Sequence, residues 1–152
     1  GWWGHDKSTR FEMSPSYNSM GTAESWQLSN APVLNMAVHK ASLDIFEEAG
    51  GMPALRERSL RLTAYLEKTV RAIASTTGAN LEIITPSNPV ERGCQLSIVA
   101  HGQGRDLHDK LSEAGVVVDW REPDVIRMAP VPLYNSFEDI ARFGHILAES
   151  LS

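Results

Sequence analysis

The stretch VIRMAPVPLYNSFEDIARFGHILAESL, residues 125–151, decides the fold because it passes from a strand pattern into a capped amphipathic helix. Apolar and β-branched residues in Val125–Met128 predict a short strand. Ser136 and Asp139 resemble a capping box with Asp in place of Glu, which predicts a helix start. Helically spaced apolar residues follow it: Ile140, Phe143, Leu147 and Leu151.

The rest of the chain continues this mixed pattern. Helices are predicted after Asn30 and Pro32 up to Gly50-Gly51, from Pro53 to Gly78, and over 106–114. Strands are predicted over 81–85, 94–100 and 116–119. The alternation in 94–100 is typical of a half-buried strand that includes Cys94 as a small core residue. The order predicts an α+β fold in which helices cover one face of a mainly antiparallel sheet.

Composition limits the class of protein. The 152 residues are 42% apolar and 22% charged, which is typical of a globular domain in solution. Fourteen basic and 19 acidic side chains give a charge of −5, which argues against nucleic acid or an anionic membrane as partner. The single Cys94 cannot form an internal disulfide, and no spacing suggests a metal site. We expect no membrane span and no secretory leader.

Residues 1–30 differ from the rest. They are rich in turn-forming residues and carry three tryptophans without a periodic apolar face. Disordered tails are poor in aromatic residues, so we expect this stretch to pack against something absent here. The predicted division is a loop-rich segment over 1–30, belonging to a missing large domain, and a small α+β domain over 31–152.

Pattern alone assigns no chemistry, since Walker, GxSxG and HExxH motifs are absent and the GQG at 102–104 reads as a turn. Arg127 is the strongest single candidate, because a planar guanidinium suits bidentate carboxylate binding. Alternation directs it away from the face of Ile126 and Met128. An ordinary surface ion pair with Asp124 or Glu122 is the other interpretation.

Five motifs together resemble one known family. In order they are GWWGH at 1–5, SNAP at 29–32, ITP at 84–86, RGCQLS at 92–97 and IRMAPVPLYNSF at 126–137. Their order and spacing are similar to the C-terminal third of kynureninases, and the resemblance covers essentially the whole chain. It implies the small C-terminal domain of a fold type I enzyme that uses pyridoxal 5′-phosphate.

The resemblance also implies an activity for the full-length protein. Kynureninases hydrolyse a carbon–carbon bond of L-kynurenine, giving anthranilate and L-alanine in tryptophan catabolism and NAD biosynthesis. The 3-hydroxy form is a second candidate substrate. A cytoplasmic homodimer, with cofactor sites shared between subunits, is expected.

Site residues follow from the same resemblance. It implies that Arg127 holds the substrate α-carboxylate, and that Trp2 and Asn30 contact the cofactor phosphate from the neighbouring subunit. Trp3 is expected near the aryl ring of the substrate. His5 is expected with it as a second substrate-binding residue, which could hydrogen-bond in the same loop, and a structural role is its other interpretation. From the residues alone, Asn30 is equally well a helix N-cap and Trp2 a hydrophobic plug.

The resemblance places the lysine that forms the cofactor Schiff base upstream of this chain. None of Lys7, Lys40, Lys68 and Lys110 has the matching position. No catalytic residue is therefore expected in this segment, which should be inactive without the missing N-terminal part.

Supporting roles are expected for two further arginines. Arg10 is expected to anchor the N-terminal loop through a carboxylate, and Arg121 to be structural.

Two other interpretations remain open. The chain could be a free-standing α+β ligand-binding or dimerisation module, with Trp2, Trp3 and Trp26 forming an interaction surface. It could also be part of a cysteine desulfurase-like enzyme. Desulfurases carry a reactive cysteine in a mobile loop, so the predicted placement of Cys94 within a strand argues against that class.

Overall fold

The computed structural model describes residues 2–152 and contains two compact units, one extending to Ile45 and the other comprising Phe46–Ser152. The helices are α1 (Val33–Glu48), α2 (Gly51–Thr77), α3 (Asp106–Glu113) and α4 (Phe137–Ser150). The strands are β1 (Leu81–Ile83), β2 (Leu96–Ala100), β3 (Asp119–Arg121) and β4 (Val125–Met128). Short 3-10 helices occur at Trp2–Gly4, Ala23–Trp26 and Pro89–Glu91.

The second unit is built on an antiparallel sheet with strand order β1-β2-β4-β3. The two central strands pair Leu96 with Met128 and Ile98 with Ile126. Since side chains alternate along a strand, these four residues share one face of the sheet. The predicted α+β class and antiparallel sheet are confirmed.

Helices α2, α3 and α4 cover that face and close the hydrophobic core. The helices contribute apolar side chains at helical spacing, including Leu62, Leu66 and Val70 of α2. Glycine at 144 lets α4 approach α2 closely, because a Cβ there would lie 2.7 Å from Thr69 Cγ2. The opposite face of the sheet carries no helix of this unit.

Local sequence motifs set several boundaries as predicted. Ser136 accepts a hydrogen bond from Asp139 N at 3.1 Å, and the Asp139 carboxylate accepts one from Ser136 N at 2.8 Å. This capping box begins α4 at the predicted residue. Gly78 ends α2 in a left-handed conformation, with φ of 73°.

Three strand predictions were wrong in detail. The first strand, β1, ends at Ile83 and not at residue 85. All five residues of β2 are buried, not every second one. Ser97 and Val99, which lie on the helix-free face, are only 8% and 9% exposed. Cys94 lies in a bend before β2 and is half-buried, so it is neither in the strand nor in the core. Val116 and Val118 instead contribute to the core from a loop before β3, which begins only at Asp119.

In α1 every residue is exposed within this structure. Its exposed large apolar residues are Val33, Leu34, Met36, Val38, Leu43, Ile45 and Phe46. A helix with so much exposed apolar surface is typical of an element that packs against further protein. Within residues 2–152, no helix combines the length and the apolar character needed to cross a membrane.

Candidate functional site

Arg127 lies on the helix-free face of the sheet, in the central strand β4. Its neighbours Ile126 and Met128 are buried in the core, whereas the Arg127 side chain is 31% exposed. The predicted outward orientation is therefore confirmed. Across the strands, Arg127 is in register with Ser97 on β2 and Asp119 on β3.

The carboxylate that pairs with Arg127 is Asp119. Arg127 Nε donates to Asp119 Oδ2 at 2.7 Å, and Nη2 donates to the same oxygen. The predicted alternative partners, Asp124 and Glu122, were wrong, because cross-strand register brings Asp119 directly opposite the arginine. Nη1 of Arg127 has no hydrogen-bond partner among residues 2–152.

Electrostatics at this pair favour the ionised carboxylate. The hydrogen bond from Arg127 is the main cause that lowers the pKa of Asp119 below its ordinary value, and nearby Arg121 adds to the effect. Arg121 Nε lies 3.2 Å from the same oxygen, Asp119 Oδ2. Two guanidinium groups and one carboxylate leave a net positive charge, which suits an anionic ligand.

The N-terminal loop brings Trp2 and Trp3 together. Their rings meet edge to face with centroids 5.8 Å apart, and the ring of Phe11 lies 5.3 Å from that of Trp2. The indole N–H of Trp2 donates to the carbonyl of Arg10 at 3.0 Å. A phosphate bound at Trp2 would have to replace that bond.

Arg10 anchors this loop, although not through a carboxylate as predicted. Its guanidinium lies over the ring of Trp3, 4.7 Å from the centroid, and donates to the carbonyl of Trp3 at 3.0 Å. One face of the Trp3 ring is thus covered by a cation. An aryl ring could stack only on the other face.

His5 is a buried member of the same loop. It is 8% exposed, and its Nδ1 accepts a hydrogen bond from Asn18 N at 3.3 Å. This hydrogen bond links His5 to Asn18 within the loop. A contact between His5 and the substrate stays a prediction.

Gly4 of this loop was missed as a key residue from the sequence. A Cβ at this position would lie 2.2 Å from the carbonyl oxygen of Ser25, so only glycine fits. The Tyr17 hydroxyl lies 2.8 Å from the Gly4 carbonyl oxygen and 2.6 Å from that of Ser25. These contacts explain why the two tryptophans are followed by glycine.

Asn30 is exposed ahead of α1, and the helix begins at Val33, with Met36 N donating to the carbonyl of Pro32 at 3.0 Å. Asn30 is therefore not the residue that caps the helix. The first turn of α1 contains no acidic side chain, which keeps the positive end of the helix available to an anion.

No group of three potential metal ligands occurs in residues 2–152. A cleft of about 420 Å³ opens beside α4, between the loop around Val117 and Tyr134. It includes none of the predicted site residues. Of the polar side chains that line it, Asn135 and Asp139 hold the α4 cap and its turn, and the others are Tyr134 and Arg142.

The fold and the site together define an α+β domain that presents an arginine on the open face of an antiparallel sheet. Residues 55–147 match the kynureninase C-terminal domain family. The chain belongs to that family.

Comparison with individual proteins agrees with this family assignment. The chain is 49% identical to a kynureninase of Flavobacterium psychrophilum over 151 residues, covering 99% of this chain and 35% of that protein. It is 55% identical over 146 residues to a kynureninase of Xanthomonas oryzae pv. oryzae, covering 94% of this chain and 34% of the relative. The chain thus spans about a third of the length of the relatives it matches.

The family match also bears on the desulfurase-like interpretation of the sequence. The placement of Cys94 in a strand was wrong, so it gives no argument against a desulfurase-like enzyme. Identity near 50% with kynureninases, over the whole chain, excludes that class instead.

Proposed function

We propose that this chain is the C-terminal part of an enzyme that hydrolyses L-kynurenine to anthranilate and L-alanine, with pyridoxal 5′-phosphate as cofactor. The 3-hydroxy form is a second candidate substrate, and the activity would serve tryptophan catabolism and NAD biosynthesis in the cytoplasm. The proposal is supported by the family of the chain and by the names of its relatives. Bound cofactor would supply an electron sink for charge that develops on the substrate.

The observation that carries the proposal is the setting of Arg127. Its side chain is rooted in a central strand, faces away from the core, and has Nη1 without a partner among the described residues. A guanidinium in this state can donate to an α-carboxylate and so orient the amino acid. Arg127 is therefore proposed as the substrate carboxylate site.

Trp2 and Asn30 are proposed as cofactor-phosphate contacts. The exposed Asn30 amide is a neutral hydrogen-bond donor, and the nearby N-terminus of α1 carries a partial positive charge. Both fit an anion. The Trp2 indole fits as a donor once it exchanges the Arg10 carbonyl for the phosphate. Trp3 is proposed to contact the aryl ring of the substrate with the ring face that Arg10 does not cover. His5 is proposed as a further substrate-binding residue of the same loop.

Partners of the chain are proposed on the same basis. The exposed apolar residues of α1 support packing against the remaining part of the protein, which corresponds to about two thirds of the relatives' length. We propose that residues 1–30 belong to the large domain and residues 31–152 to the small one. The active form is proposed to be a homodimer that shares its cofactor sites.

The test is a comparison of Arg127→Lys with the parent full-length enzyme. Lysine keeps the charge but lacks the planar set of N–H donors of a guanidinium, so we expect KM for L-kynurenine to rise at least about tenfold. Values of KM and kcat that both stay within about twofold of the parent would refute the carboxylate role. The 152-residue chain alone should show neither activity nor the cofactor's lysine-bound absorbance.

A further inference from the structure

Asp119 and Arg127 form a pair whose geometry bears on substrate binding. The two residues face each other across β3 and β4, and Asp119 Oδ2 accepts from both Nε and Nη2 of the arginine. Both donors lie on one edge of the planar guanidinium. The carboxylate therefore fixes the plane and the rotation of the group.

The other edge of the guanidinium is left for a ligand. Nη1 has no partner among residues 2–152, and it points away from the edge that Asp119 occupies. A second carboxylate can bind end-on there while Asp119 stays in place. Because Arg121 contacts the same Asp119 oxygen, the cluster keeps a net positive charge for that ligand.

From this geometry we propose that Asp119 is a positioning residue, which holds the guanidinium of Arg127 ready for the substrate α-carboxylate. The inference rests on the proposed function of Arg127. An arginine side chain has many rotamers, and ordering it on binding weakens affinity. Asp119 orders the Arg127 side chain before the substrate binds, so this loss of affinity is avoided.

A purely electrostatic role would have the opposite consequence. A carboxylate beside an arginine also competes with an incoming carboxylate for the same positive charge. If competition dominated, removing the Asp119 charge would tighten substrate binding. If positioning dominates, removing it weakens binding, so the sign of the change separates the two roles.

The experiment compares Asp119→Asn with Asp124→Asn in the full-length enzyme, since Asp124 lies in the same β3–β4 hairpin and the charge change is equal. We expect Asp119→Asn to raise KM for L-kynurenine about tenfold with kcat within about twofold, and Asp124→Asn to change neither. The apparent dissociation constant of L-kynurenine should shift equally. Asp119→Ala is the second variant, with the same result expected.

A double-variant cycle shows whether Asp119 acts through the arginine. In an Arg127→Ala background, Asp119→Asn should have no further effect on KM. An unchanged or lower KM in Asp119→Asn, or an undiminished effect in that background, overturns the positioning role. If Arg127→Ala itself leaves KM unchanged, the proposed function of Arg127 fails instead, so the two failures are distinguishable.

Discussion

Arg92 Nη1 donates to Glu67 Oε2 at 2.6 Å, linking the loop between β1 and β2 to helix α2. The arginine side chain is only 6% exposed and that of Glu67 17%. The same Nη1 lies 3.2 Å from the carbonyl oxygen of Pro86. A buried cation with two acceptors ties the RGCQLS motif to the helical layer, and its loss should be costly.

Glu67→Gln is predicted to destabilise the fold. The change leaves the buried Arg92 guanidinium without its charged acceptor, which should lower the free energy of unfolding by about 1–3 kcal/mol. Urea unfolding of the chain, followed by circular dichroism, measures this. Glu57→Gln, an exposed position on the same helix with the same charge change, should stay near the parent value. Equal values for the two variants would contradict the prediction.

The pH dependence of stability should report the same pair. Burial raises the pKa of Glu67, but hydrogen bonds from Arg92 and Arg71 more than offset it, so the pKa falls below its ordinary value of 4.5. A carboxyl whose pKa is lower in the folded state stabilises the fold in full when the pH lies above its unfolded-state pKa. This stabilisation is lost as the pH falls through the folded-state pKa.

The measurable quantity is the stability difference between the parent and Glu67→Gln. We expect a constant difference from about pH 5 upward and a shrinking one at lower pH. A difference that does not change with pH would show that folding leaves the pKa of Glu67 unshifted, which would contradict the prediction.

The capping box of α4 gives a local prediction. Ser136→Ala removes the side chain that accepts from Asp139 N, which should reduce stability by about 1 kcal/mol. Ser136→Thr keeps the acceptor and should retain most of that stability. Thermal unfolding of the two variants is the measurement. If Thr were as destabilising as Ala, the hydrogen bond would not be the cause.

What the sequence predicted correctly was specified locally. The start of α4 depends on Ser136 and Asp139, and the end of α2 depends on Gly78. The span of β4 and the outward side of Arg127 follow from alternation within one strand. Each of these needs only neighbouring residues.

The errors arose where contacts between distant parts of the chain determine the local structure. The β-branched run 116–118 reads as a strand, yet only Val116 and Val118 pack on the core, from a loop, and pairing with β4 starts only at Asp119. For the same reason Asp119 could not be identified as the partner of Arg127, because cross-strand register is a tertiary property. The fit of Gly4 under Ser25 likewise depends on a contact between separate turns.

Trp2→Phe in the full-length enzyme tests the proposed phosphate contact. Phenylalanine keeps the apolar packing against Phe11 but lacks the indole donor, so the cofactor dissociation constant should rise about tenfold. Trp26→Phe, at an exposed tryptophan of the same unit, is the matched control and should leave it unchanged. An unaltered constant in Trp2→Phe would mean that the indole keeps its bond to Arg10.

Gly144→Ala should destabilise the contact between α2 and α4. Alanine favours a helix over glycine by about 1 kcal/mol, but its Cβ would lie 2.7 Å from Thr69 Cγ2, and such overpacking costs about 1–3 kcal/mol. The net effect on unfolding is therefore expected to be a loss of about 1 kcal/mol. Gly93→Ala, where no atom lies within 4 Å of the new Cβ, should show no such loss.

The cause can be isolated at Thr69. Thr69→Ser removes the methyl group that the new Cβ would meet and retains the hydroxyl that donates to the Tyr65 carbonyl at 2.9 Å. Combined with Gly144→Ala, it should restore stability to at least that of Thr69→Ser alone, because the helix gains alanine without the clash. Additive losses in the double variant would place the strain elsewhere in α4, and then glycine at 144 would not be explained by close helix approach.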